Sequence, residues 1–144
     1  MTKKLDLTEL FTGPSLAKRL AAHGIRTNLI DVAEHTVTDI RLDRPLAALH
    51  VQLPDDEQVE FMALGRHTKQ VGLVVLTDRR VLFQPVNHDS IAVDLPRYEV
   101  RAEARKSTLT LRTLDAELTF DRFLGRSAAM VADALSVDRS SPNG

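Results

Sequence analysis

The run Val71-Gly72-Leu73-Val74-Val75-Leu76-Thr77-Asp78-Arg79-Arg80-Val81-Leu82-Phe83 is the most apolar stretch of the chain, and one compact polar turn interrupts it. The β-branched residues Val71, Val74, Val75 and Val81 and the aromatic Phe83 fit a pleated surface better than a helix. Thr77-Asp78-Arg79 reads as a turn, because the short Asp carboxylate accepts hydrogen bonds from neighbouring backbone N–H groups. Two strands joined at that turn are therefore the expected centre of the fold, with Leu76 and Phe83 buried. Polar residues do not alternate along them, so only a doubly covered or barrel-lining hairpin hides the whole run.

Around this hairpin the hydrophobic period changes twice. In residues 1–53 it is near 3.6. Leu16, Ala17, Leu20 and Ala21 follow Pro14, and Gly24 is placed as the left-handed residue that ends a helix. Leu29, Ala33, Val37 and Ile40 mark a second helix that Asn28 can cap, and Leu46, Leu49 and Leu53 a third from Pro45. From Pro54 onward the period is 2. Val59 to Gly65 is the first strand and the central hairpin gives the next two. Ile91, Val93 and Leu95 mark the fourth, Tyr98 to Arg105 the fifth, Leu109 and Leu111 the sixth, and Leu118 and Phe120 the seventh. In the fifth, Glu99, Arg101, Glu103 and Arg105 alternate with apolar residues, the pattern of a sheet wet on one face. Leu124, Ala128, Val131 and Leu135 then restore a helical stripe, with Asp121 or Ser127 as its cap. The expected division is a helical flank at 1–53, a β-rich domain with its helix at 54–137, and a polar, disordered tail at 138–144.

Composition narrows the function classes. The 144 residues carry a formal charge of −1, with 43% hydrophobic and 27% charged residues, which is globular and neither polybasic nor membrane-spanning. Aromatic residues make up 4%, too few for a base-stacking platform. Without cysteine there is no thiolate metal site and no Cys nucleophile. The start lacks the apolar core of a signal peptide, so a cytoplasmic protein is expected.

The order of seven short strands and one C-terminal amphipathic helix resembles a pleckstrin-homology (PH)-like fold. The stretch from Gly72 to Phe83 resembles the G-x-L-x-L-T-[DN]-x-R-[LV]-[LI]-F signature of bacterial PH-like domains of the YokE/GRAM-like group, and Ile91-Ala92-Val93-Asp94-Leu95 the strand that follows it. The resemblance spans residues 55–137 and omits the flank. It implies an α+β domain in which a seven-stranded antiparallel barrel closes around a core and the helix plugs one end. It also implies a binding or assembly module rather than an enzyme, with Thr77, Asp78 and Arg80 structural.

Three binding modes compete. Edge strands of such a fold take up partner strands, and Glu99, Arg101, Glu103 and Arg105 form a two-sign ladder suited to a protein partner or a second copy. Arg66, His67 and Lys69 lie in the loop between the first two strands, where PH domains hold phosphoinositide headgroups. They offer an alternative anionic-ligand or peripheral membrane site. Residues 16–40 imitate a helix-turn-helix, but Asp31, Glu34 and Asp39 would repel phosphate, so nucleic-acid binding is the weakest reading. The five histidines, at 23, 35, 50, 67 and 88, form no His-x-x-x-His pair. Asp55-Asp56-Glu57 reads as the charged start of a strand. No cofactor, metal or catalytic residue is expected.

Overall fold

The computed structural model describes residues 21–22, 24–36 and 40–140, with side chains to residue 136. In chain order these residues form α1 (Thr27–Glu34), α2 (Asp43–Gln52), β1 (Val59–His67), β2 (Gln70–Thr77), β3 (Arg80–Pro85) and β4 (Val93–Pro96). A 3-10 turn (Arg97–Glu99) leads to β5 (Arg101–Arg105), β6 (Thr108–Arg112), β7 (Glu117–Phe120) and α3 (Ser127–Ser140). Strands β1-β2-β3-β4 make one antiparallel sheet and β5-β6-β7 a second. The result is an α+β fold of two antiparallel sheets with helices before and after them. Among the described residues the sheets meet at an isolated bridge, where Arg66 and Asp121 exchange backbone hydrogen bonds of 2.8 Å each way. The first helix expected from the sequence lies largely outside the described residues, as do residues 37–39 and 141–144.

The apolar hairpin is hidden by sending alternate residues to opposite sides. Leu73, Val75 and Leu82 join Met62 and Leu64 in a cluster completed by Leu29, Ile30 and Ala33 of α1 and Leu46 and Leu49 of α2. Val74, Leu76, Val81 and Phe83 point the other way, into a second cluster with Leu109, Leu111, Phe120, Ala128, Val131 and Leu135. The first sheet is thus covered by the flanking helices on one face and by the second sheet with α3 on the other. A continuous apolar run is what two buried faces require. Gly72 allows tight packing there, since a Cβ would lie 2.7 Å from the Phe83 ring and 2.6 Å from the Gln84 carbonyl oxygen.

Polar side chains fasten the flank to the sheet. Asn28 lies inside α1 and does not cap it. Its amide oxygen accepts from the Val59 N–H at 2.6 Å and its NH2 donates to the Val59 carbonyl at 2.9 Å, imitating a neighbouring strand at the first residue of β1. Arg26 donates to the carbonyls of His50, Leu53 and Pro54, which satisfies the C-terminal end of α2. Gln52 donates to the buried Gln84 side chain at 2.8 Å and accepts from the Ile91 N–H.

Three boundaries differ from the sequence reading. A register shift between Val59 and Phe61 inserts Glu60 as a bulge, which moves the alternation by one and explains why Met62 and Leu64 are buried beside Val59. The fifth strand begins at Arg101, because Arg97–Glu99 turns and the Arg97 N–H bonds the Arg79 carbonyl. Neither proposed cap holds α3: the Ser127 hydroxyl donates to the Leu124 carbonyl, and Asp121 is taken up by Arg66. The helix itself runs on to Ser140, through the start of the segment read as a tail.

Candidate interaction surface

The most strongly patterned motif turns out to be a structural node. The Thr77 hydroxyl oxygen accepts from the N–H groups of Arg79 and Arg80 and donates to the Glu57 carboxylate at 2.6 Å. Arg80 clamps Glu57 with two hydrogen bonds of 3.0 and 2.8 Å and reaches Asp94 on β4 at 2.7 Å. Asp78 does not serve its own turn; it accepts from the Gln58 N–H at 3.0 Å, joining the hairpin to the start of β1. Arg97 is buried and donates to the Glu60 carboxylate and the Thr77 carbonyl. Burial pushes the Glu57 carboxyl upward. Hydrogen bonds from Arg80 and Thr77, with the charges of Arg80 and Arg79, outweigh that and hold it below the usual glutamate range. Each of these side chains bonds another part of the fold. The sequence marked Asp55-Asp56-Glu57 as a charged strand start, and gave no sign that Glu57 and Arg97 are buried.

The sequence places its second set of residues in a loop from 65 to 70, but β1 continues through His67 in register with β2, so Arg66 and His67 lie on the strand and Thr68-Lys69 alone form the turn. Arg66 forms a bidentate pair with Asp121, both bonds 2.9 Å, on top of their backbone bridge. These hydrogen bonds hold the Asp121 carboxyl below its usual range and raise the Arg66 guanidinium. His67 stacks on Phe120 with ring centroids 4.5 Å apart and hydrogen-bonds the Thr119 carbonyl through Nδ1. Lys69 is exposed at the turn, where Thr68 and Lys69 have φ of 48° and 69°. The three residues lie near one another, but two of them are engaged in joining the sheets.

The third set lies along β5. Arg101, Glu103 and Arg105 are exposed on one face of the strand, while Ala102 and Ala104 pack against the inner cluster. Glu99 sits just ahead in the 3-10 turn, also exposed. β5 is the outer strand of its sheet, with β6 on its inner side. In the ladder Arg101 faces Arg112, like charges opposite one another on a wet face. Arg112 is neutralised by Glu103 at 3.1 Å and Glu117 at 3.4 Å, whereas Glu99 and Arg101 make no ion pair among the described residues. Two shallow depressions open on this surface, of about 560 Å³ beside Glu103, Arg105 and Lys106 and about 420 Å³ beside Tyr98, Arg101 and Leu114. Leu114 is fully exposed and Tyr98 67% exposed, so the second depression has an apolar rim. The sequence named the β5 ladder but missed Arg112, Tyr98 and Leu114, which only the strand register brings to it.

Among the described residues no group of three or more His, Asp or Glu side chains is arranged to hold a metal, and no helix is long and apolar enough to cross a membrane.

No family model and no curated protein matches the chain. Among solved structures, it is similar to the complex of the FERM and C-terminal domains of Drosophila Merlin, with 13% identity over 56% of this chain and a TM-score of 0.48. The match spans 28% of the Merlin chain. A DUF1696 family protein with a pleckstrin-homology domain from Shewanella loihica matches 72% of this chain and 99% of its own, at 16% identity and a TM-score of 0.41. A pleckstrin-homology domain from Shewanella amazonensis matches 69% of this chain and 96% of its own, at 19% identity and the same score of 0.41.

Proposed function

We propose that this chain is a non-catalytic, PH-like binding or assembly module that associates with protein, a partner or a second copy, through the outer edge of β5. The carrying observation is an edge strand with unpaired backbone groups whose exposed side chains alternate in sign and include carboxylate and guanidinium groups without partners. Strand addition uses the backbone for affinity and the side-chain pattern for selectivity. Anionic-ligand or peripheral membrane binding through Arg66, His67 and Lys69 has less behind it, because Asp121 already satisfies the Arg66 guanidinium.

Size-exclusion chromatography with light scattering, run beside liposome pelleting, separates the two readings. Glu99→Lys with Glu103→Lys should weaken association, and Arg66→Ala with Lys69→Ala should leave it intact. Loop variants that lose liposome binding while strand variants change nothing would replace this reading with the membrane one.

A further inference from the structure

The proposed edge can be taken further, to the identity of its partner. β5 reads Arg101-Ala102-Glu103-Ala104-Arg105, a sequence that is the same in both directions, with Glu99 continuing the alternation. Its hairpin with β6 turns at Lys106-Ser107, and Arg105 and Thr108 close it. The closing pair of a two-residue hairpin exchanges hydrogen bonds, as does every second pair behind it. The pairs Arg105/Thr108, Glu103/Thr110 and Arg101/Arg112 are therefore the bonded ones, so the N–H and C=O groups of Ala102 and Ala104 face the free edge. Only a register that sets even-numbered residues opposite even-numbered residues satisfies them.

We infer that β5 pairs antiparallel with β5 of a second copy about a two-fold axis at Ala102, joining the two three-stranded sheets into one. In that register Ala102 bonds Ala102 of the other copy, and Ala104 N–H donates to the Val100 carbonyl. The intervening residues form non-hydrogen-bonded pairs, whose side chains approach most closely. Arg101 then faces Glu103, twice by symmetry, and Arg105 comes to the end of the partner's 3-10 turn, where Glu99 is exposed, so the strand's outward charges approach their opposites. Neighbouring registers fail this test. An axis at Glu103 sets Glu103 against Glu103 and Arg101 against Arg105, while an axis at Ala104 leaves Arg101 facing Ser107. The Arg101 guanidinium, set opposite Arg112 in its own sheet and lacking a carboxylate, gains one only from the partner strand. A contact of one short strand is smaller than a standard stable interface, so the dimer is weak, concentration-dependent and sensitive to salt.

This inference rests on the edge-binding reading above, and the test tells their failures apart. Sedimentation velocity is measured on the full chain over a concentration series at low and high salt. Every substituted side chain is exposed, and circular dichroism confirms that each variant is folded. Arg101→Glu alone should weaken dimerisation about tenfold, since two attractive contacts become repulsive. Adding Glu103→Arg in the same chain should restore it, because each charge then meets its swapped partner across the axis. Glu99→Arg with Arg105→Glu should likewise behave as the parent, and this swap leaves the Glu103–Arg112 pair untouched. Single-variant loss without recovery in either swap overturns the Ala102 register while leaving edge association standing. A parent that stays monomeric up to about 1 mM, or single variants that dimerise as well as it does, overturns the self-pairing altogether.

Discussion

Glu57 shows how far one residue's role depends on what folds over it. It is 1% exposed, yet it stays charged because Arg80 and Thr77 donate to both of its oxygens. Its folded-state pKa lies below the ordinary glutamate value of 4.5. Near that value the unfolded chain therefore binds more protons than the folded one. The stabilisation is complete above it and is lost as pH falls through the depressed folded value. Urea unfolding from pH 3 to 8 should show stability falling on the acid side. Glu57→Gln should cost roughly 3 kcal/mol at pH 7, the low end for breaking a buried pair because Asp94 still neutralises Arg80. The variant should converge on the parent at the acid end, and an unchanged acid slope would remove Glu57 from the account. The sequence marked Arg80 as structural, a donor for carbonyls or a carboxylate across the sheet. Which carboxylate it is depends on the fold, because Glu57 is 23 residues away in sequence and arrives from the start of β1.

At the scale of elements, period was the legible quantity and its interruptions were not. The alternation placed strands β1 to β7 and the buried stripe of α3, because a side chain's face follows directly from its position modulo the period. The bulge at Glu60 and the 3-10 turn at Arg97–Glu99 escaped for the opposite reason: each is stabilised by a distant partner, Glu60 by Arg97 and Arg97 by the Arg79 and Thr77 carbonyls. The β1–β2 turn was legible as a loop, but its strain was not. Two consecutive positive φ values at Thr68 and Lys69 give a type I′ turn built without Asn or Gly, and Thr is β-branched. Replacing the pair by Asn-Gly should raise stability by about 1–2 kcal/mol. A lower denaturant midpoint would mean the turn is held by contacts worth more than the strain. On the hairpin, Leu76→Ala and Phe83→Ala should each cost on the order of 2–5 kcal/mol, as both side chains are fully enclosed. Unchanged midpoints would contradict the hairpin core.

At the scale of the whole molecule, the flank and the sheets share one packing problem. The sequence separated residues 1–53 from the rest by period, and the described helices α1 and α2 pack on the first sheet as the second layer it needs. Leu73, Val75 and Leu82 on β2 and β3, with Met62 and Leu64 on β1, are all at most 4% exposed because Leu29, Ile30, Leu46 and Leu49 cover them. The outward face of that sheet is dominated by Met, Leu and Val, and its Gln84 is taken up by Gln52 of α2, so it has little polar surface to offer water in their place. Burying a side chain of this kind is worth roughly 1.5–3 kcal/mol, so the uncovered face represents most of a domain's net stability. A chain lacking residues 1–53 should therefore bind a hydrophobic dye, lose its cooperative transition and associate non-specifically, in a manner high salt does not reverse. That last property distinguishes it from the edge pairing of β5, which salt weakens. Asn28→Ala offers a milder version, since it unlatches α1 from Val59 without deleting any apolar cover, and should lower the denaturant midpoint while leaving the transition cooperative. A deletion variant that stays monomeric, dye-free and as stable as the parent would show the helices to be an independent unit resting on a sheet that does not need them.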